Sequence, residues 1–303
     1  MKNMAICYSE HAIKVSDSYC SGNSNQPSYN TSSHLKIPSI RNSVTSIYKI
    51  KLSTDKQFLI KLTWCNQLNQ MFSISIFDCC PFSTSKFSKS FRILRGTKVS
   101  ESRGLRIEVY WDLSRAKYES GPEPITGFYV IILVNSELSL ILGNMERELE
   151  VKKCVFETRV SEFSLISRRE YFSGNDVYST KAKFCEAGIC HDILIKCNNN
   201  NNNRVLCVYV DKKSVIEVKR LKWNFRGNET IFLDGLLVDL MWDVHDWLFS
   251  PTTKGYRVFL FRTRRGLMDS RLWLEDKSFE ENEQQEEKVN GFSFLICAYK
   301  NPD

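Results

Sequence analysis

From Ser43 onward the chain alternates apolar and polar positions in short runs. Tyr48, Ile50 and Leu52 fall on one side of the alternation, and Lys49 and Lys51 on the other. A period of two is the spacing of a half-buried strand. Residues 58–64, 72–77 and 87–94 continue the pattern, with turn residues between them. Residues 105–111 show it most sharply: Ile107, Val109 and Trp111 point one way, and Arg106, Glu108 and Tyr110 the other. A hairpin is predicted around Asn135-Ser136. Further strands are predicted at 163–172, 178–184, 192–197, 206–211 and 215–225, then at the run ending in Trp242-Asp243, at 256–262 and at 292–299. Helix signals are few. Residues 112–118 predict a single helical turn with Asp112 as its N-cap.

The pattern is also stated twice. Leu105-Arg-Ile-Glu-Val-Tyr-Trp-Asp112 matches Leu236-Leu-Val-Asp-Leu-Met-Trp-Asp243, and the two tryptophans stand 131 residues apart. At the same offset Arg95-Gly96 matches Arg226-Gly227, and Gly104 matches Gly235. Arg95-Gly96 is read as a turn, each Trp as a core anchor, and each Asp as the cap of the following turn. The expected fold is all-β: tandem-duplicated β-sandwich-like units, packed together or sharing sheets, with few short helices.

The chain divides accordingly. A Ser/Asn-rich disordered leader spans 1–42, the first β unit 43–150, a connecting strand 151–176 and the second unit 177–274. An acidic flexible loop follows at 275–290, with seven acidic and two basic side chains over 275–288, and 291–303 holds a last strand. The six-Asn tract 198–203 falls where a hairpin tip belongs.

With 42% hydrophobic and 25% charged residues, the composition is that of an ordinary globular chain. A net charge of +7 is too mild and too scattered to argue for nucleic acid. No signal peptide and no transmembrane segment is predicted, so an intracellular place, cytoplasmic or nuclear, is expected, with no membrane insertion. In that setting the eleven cysteines read as reduced, packed thiols. The alternative, a zinc site at Cys185, Cys190 and Cys197 with His191, lacks a CxxC pair, so neither a metal nor a cofactor is expected.

Three blocks carry a family resemblance: residues 218–249, including Trp223-Asn-Phe-Arg-Gly-Asn228; Trp111-Asp-Leu-Ser-Arg-Ala-Lys-Tyr118 with Ser120-Gly-Pro-Glu-Pro124 and Gly127-Phe-Tyr-Val130; and Leu165-Ile-Ser-Arg-Arg-Glu170. Together they resemble the plant family catalogued as domain of unknown function 868, over roughly residues 43–300. The Asn tract and Cys79-Cys80 depart from that family's pattern. The resemblance implies a plant origin and a β-rich fold, and it brings no activity with it.

Asp243-Val-His-Asp-Trp247 is the sharpest chemical motif. His245 and Asp246 stand where the first unit has Ser114 and Arg115. With Asp243, and with His191 if the fold brings it near, they would suit a metal-dependent or acid/base enzyme. The favoured reading is a capped turn, with Trp247 and Phe249 packed on the sheet. Lys212, Lys213, Lys219, Lys222 and Arg226, interleaved with Trp223, form the densest basic stretch. They would suit a nucleic-acid-binding face, but Leu221, Trp223 and Phe225 alternate as a buried face would. An exposed Trp223 or Trp247 would instead suit carbohydrate. Arg168-Arg169-Glu170 is read as an inter-strand salt bridge, with the two arginines on opposite faces. The favoured function is a non-enzymatic interaction module with a protein partner. Its binding surfaces would be the 243–249 turn, the 119–125 loop and the basic run 212–226.

Overall fold

A computed structural model describes residues 39–67, 70–79, 87–102, 104–143, 158–174, 176–200, 203–250, 255–264 and 291–299. The described chain is nearly all β. The first half holds β1 (Ile40–Lys51), β2 (Gln57–Gln67), β3 (Gln70–Asp78) and β4 (Phe87–Phe91), then β5 (Arg95–Ser102), β6 (Leu105–Asp112), β7 (Tyr129–Val134) and β8 (Glu137–Gly143). A long strand, β9 (Glu162–Ser173), leads into the second half. There follow β10 (Val177–Ala182), β11 (His191–Asn200), β12 (Asn203–Val210) and β13 (Lys213–Val218), then β14 (Arg226–Leu233), β15 (Leu236–Asp243), the five-residue helix α1 (His245–Phe249), β16 (Tyr256–Thr263) and β17 (Ser293–Tyr299).

The strands form one nine-stranded sheet, ordered β14-β15-β16-β17-β9-β1-β2-β3-β4, and two four-stranded sheets, β5-β6-β7-β8 and β10-β11-β12-β13. Strand register shows how they stack. Val44 on β1 and Ile296 on β17 both lie opposite Glu170 on β9. Residues directly opposite each other share a sheet face, so all three point the same way. Val44 belongs to one hydrophobic core and Ile296 to the other. The two small sheets therefore lie side by side on one face of the large sheet, each closing a sandwich. A seam runs between them above β9 and β1.

The repeated motif holds the same place in each sandwich. Trp111 is buried, and its indole N–H donates to the Ile93 carbonyl at 2.9 Å. Trp242 is buried, and its indole N–H donates to the Asn224 carbonyl at 3.0 Å. Gly104 and Gly235 sit at hairpin tips with φ of 75° and 78°, which glycine adopts without the steric cost of a side chain. Arg95-Gly96 and Arg226-Gly227 do not form turns. They begin β5 and β14, and a Cβ at Gly96 or Gly227 would stand 2.9 or 2.2 Å from the ring of Trp111 or Trp242. These two glycines make room for the indole, a close-approach role for glycine within a strand.

Other expectations need correcting. Strand β1 begins at Ile40, inside the span read as leader; residues 1–38 lie outside the described set, as do the acidic stretch 275–290 and the end of the chain from 300. The Asn tract, by contrast, does fall at the end of the β11–β12 hairpin, with Asn198 opposite Val205 and Asn200 opposite Asn203. No helix follows Asp112. Its carboxylate instead accepts the backbone N–H of Ser114 at 2.8 Å and the Ser114 hydroxyl at 2.6 Å, which closes a turn.

Candidate functional site

The motif at Asp243 folds as a structural corner. One Asp243 oxygen accepts the His245 backbone N–H at 3.0 Å, and the other accepts from Arg226 Nε at 2.8 Å. His245 Nδ1 lies 3.0 Å from Asp246 Oδ1, and its ring packs between Phe225 and Phe249. The His245 contact holds the Asp246 carboxyl below its ordinary range. Trp247 is buried with the Arg257 guanidinium stacked on it at 3.7 Å, while Phe249 is half exposed.

His191 is not part of this corner. It opens β11 and lies against Asp234, at the β14–β15 hairpin tip. His245 follows the opposite end of β15. A strand of eight residues separates its ends by roughly 25 Å, so the two histidines cannot share a site. His191 is 5% exposed and bridges the two sheets of its sandwich. Its Nδ1 lies 2.6 Å from Asp211, at the β12–β13 tip. Its Nε2 lies 3.0 Å from Asp234 Oδ2, off the line of the ring N–H. Burial pushes the His191 pKa down, but the Asp211 and Asp234 carboxylates beside it outweigh this and hold it above its ordinary value. Cys197 is buried in the core and Cys190 is exposed, so the thiols flanking His191 do not converge. Among the described residues no group of three or more His, Cys, Asp or Glu side chains is arranged to hold a metal.

The basic run is split. Lys212 and Lys213 stand at one end of β13, and Lys219, Lys222, Trp223 and Arg226 beyond the other. Lys219 pairs with Glu217 and Arg226 with Asp243. Residues 219–225 form no strand. Arg220 takes a left-handed φ of 52°, Leu221 turns into the core, and Trp223 is thrown outward, 84% exposed. The expected buried face over 221–225 is therefore broken at Trp223, while Leu221 and Phe225 keep to the core.

The residues that do converge lie at the seam. On β9, Arg168 and Glu170 are two apart and share a face, while Arg169 points the other way. Arg168 grips Glu123 of the 119–125 loop at 2.6 and 3.3 Å, and its Nε donates to Glu170 at 2.8 Å. Arg41 of β1 donates to the same Glu170 oxygen at 3.3 Å, to Thr180 of β10 at 3.4 Å and to Ser120 at 3.1 Å. Glu170 is fully buried, and its second carboxylate oxygen has no hydrogen-bond partner among the described residues. Burial opposes the charge on Arg168, but Glu123 and Glu170 more than restore it, so its pKa is raised. Tyr48, beneath the same loop, is pushed up to about 12 by burial and by Glu123. A Cβ at Gly121 would lie 2.8 Å from Arg41 Nε, so a side chain there would push the guanidinium from its place.

Above this ion-pair cluster opens a cleft of about 330 Å³, lined by Arg41, Glu119–Gly121, Glu123, Ile125, Arg168, Ser179–Lys181 and Asp192. That volume lies near the lower bound for ligand pockets. Glu123 in its wall and Glu170 beneath it are tied to arginines, and no histidine lines it. Sequence reasoning named the 119–125 loop and read Arg168-Arg169-Glu170 as an inter-strand salt bridge, which Glu170 of β9 makes with Arg41 of β1. It missed Arg41, which fell in the supposed leader, and the β10 wall, which no local pattern marks.

Residues 39–300 of the chain match the family described as plant protein of unknown function (DUF868). No curated protein and no solved structure matches it at a significant level. Among the described residues no helix is long and apolar enough to cross a membrane.

Proposed function

The chain belongs to this plant family of unknown function, and we propose that it is a non-enzymatic interaction module that binds a protein partner in the seam cleft. One observation carries the reading: the 119–125 loop of the first sandwich and β10 of the second enclose a single polar cleft, held in shape by the Arg41–Glu170–Arg168–Glu123 cluster. A loop set aside by one half and anchored by ion pairs to the floor of the seam is a binding wall. The walls carry three cationic and three acidic side chains, which suits a polar partner of no strong net charge. We place this activity inside the cell, in cytoplasm or nucleus, in keeping with the free thiols of Cys65, Cys185, Cys190, Cys207 and Cys297.

Affinity capture from plant tissue tests the proposal. A partner retained by the native chain should be lost by Ser179→Trp, which fills the cleft, and kept by Trp223→Ala on the far flank. The reverse pattern would move binding to the Trp223 turn. A carbohydrate or single-stranded nucleic acid stacking on that ring is the second reading, favoured only by its exposure.

A further inference from the structure

The wall formed by β10 is the edge strand of its sheet. Which of its backbone groups are free follows from the phase of the ladder. Cys197 N–H donates to the Asp176 carbonyl at 2.8 Å, so positions 176 and 197 form a hydrogen-bonded pair. In an antiparallel ladder such pairs alternate with pairs that exchange no bonds. With Tyr178 opposite Ile195, Thr180 opposite Ile193 and Ala182 opposite His191, those three residues spend their N–H and C=O groups on β11. Val177, Ser179 and Lys181 point theirs the other way. Ser39 fixes the same phase independently, since its N–H donates to the Val177 carbonyl at 3.1 Å. Ser179 and Lys181 come next along that edge, both line the cleft, and neither has a backbone partner there among the described residues.

Two N–H and C=O sets repeating about every 7 Å match the bonding groups of another extended chain. Nothing else in the cleft favours one charge. Arg41, Arg168 and Lys181 balance Glu119, Glu123 and Asp192, and all three cations are already paired with carboxylates. Recognition would therefore run through the backbone, with side chains choosing only weakly.

We infer that the free edge of β10 takes an extended peptide segment of a partner protein as a fifth strand of the small sheet, inside the seam cleft. The inference rests on the seam being the binding site. Salt should affect the affinity little, because the bonds are not charge-driven. Proline at position 179 removes an N–H that the fold itself does not use, whereas proline at 180 removes one that pairs with β11. Edge positions with a free N–H are where strands tolerate proline.

The test uses the full chain as bait for a displayed library of random twelve-residue peptides. Enriched peptides should bind Ser179→Pro about ten-fold more weakly than Ser179→Ala, the equivalent of one lost hydrogen bond and its desolvation. Scanning single N-methyl groups along an enriched peptide, against the native chain, should give losses at every second residue, and this readout survives even if Ser179→Pro folds poorly. A flat N-methyl profile from peptides that Ser179→Trp still blocks overturns strand addition and leaves the seam reading intact. Peptides indifferent to Ser179→Trp, or no enrichment at all, overturn both. Slow amide exchange at Ser179 and Lys181 in the free chain would show the edge already occupied, and would also overturn the inference.

Discussion

The two halves of the molecule share a corner and part company immediately after it. In both, a buried Trp donates to a backbone carbonyl across the sandwich, a glycine lies under its ring, an Arg at the start of the neighbouring strand pairs with the Asp after the Trp, and that Asp accepts the N–H two residues on. The first half then runs out into the 119–125 loop, which reaches the seam. The second half folds short into α1, and there Trp247 packs on Arg257. It also carries a His191 bridge between its sheets. The likeness is one of residues and contacts at the corner. The difference teaches that the recognisable motif is scaffold, and on the proposed function the unlike loops supply the surfaces.

The comparison can be broken first at the shared corner. Trp111→Ala and Trp242→Ala should each cost about 3–5 kcal/mol in urea unfolding, the usual loss for a buried aromatic. If one is nearly silent, the corners are not equivalent. Next comes Glu170, which belongs to the seam and to neither corner. Glu170→Ala leaves two arginines without their buried counter-ion and should cost about 3–4 kcal/mol; a neutral result would mean the cluster does not hold the seam. The glycines sharpen the likeness further. Gly227→Ala should destabilise more than Gly96→Ala, within about 1–3 kcal/mol for an overpacked site, because its Cβ would sit closer to the indole.

The smallest expected effect belongs to the second half alone. His191→Asn should cost about 2 kcal/mol near pH 6, for a hydrogen-bonded charged group. The His191 pKa is raised in the folded chain from an ordinary 6.5. Its contribution is thus complete below that value and fades as pH rises through the folded one. Burial opposes ionisation of Asp211, but the His191 contact lowers its pKa below 3.8, so that part is lost only as pH falls through the lowered value. The gap in Tm between native and variant should therefore narrow from pH 6 to pH 9; a gap constant with pH would mean that His191 is held neutral.

Most strands were legible because a period-two alternation survives wherever one face is buried, as at Ile107, Val109 and Trp111. β5 and β14 were not, since Arg95-Gly-Thr-Lys and Arg226-Gly-Asn-Glu carry almost no apolar face and are placed by pairing with β6 and β15. Leu221, Trp223 and Phe225 misled for the opposite reason: the spacing is that of a strand, but a left-handed Arg220 turns the chain. The seam could be read only in part: the 119–125 loop was named, but not what it faces. It joins Arg41 to Thr180 across 139 positions, and strand order, not local pattern, brings them together.

Amide hydrogen exchange of the full chain, with and without an enriched peptide, tests the central claim most directly. Slowed exchange at Ser179 and Lys181, with the amides of 243–249 and 219–226 unchanged, is the predicted result. Protection confined to the 243–249 corner or the Trp223 turn would contradict the account, because binding would then lie where the halves differ on their flanks and not where they meet.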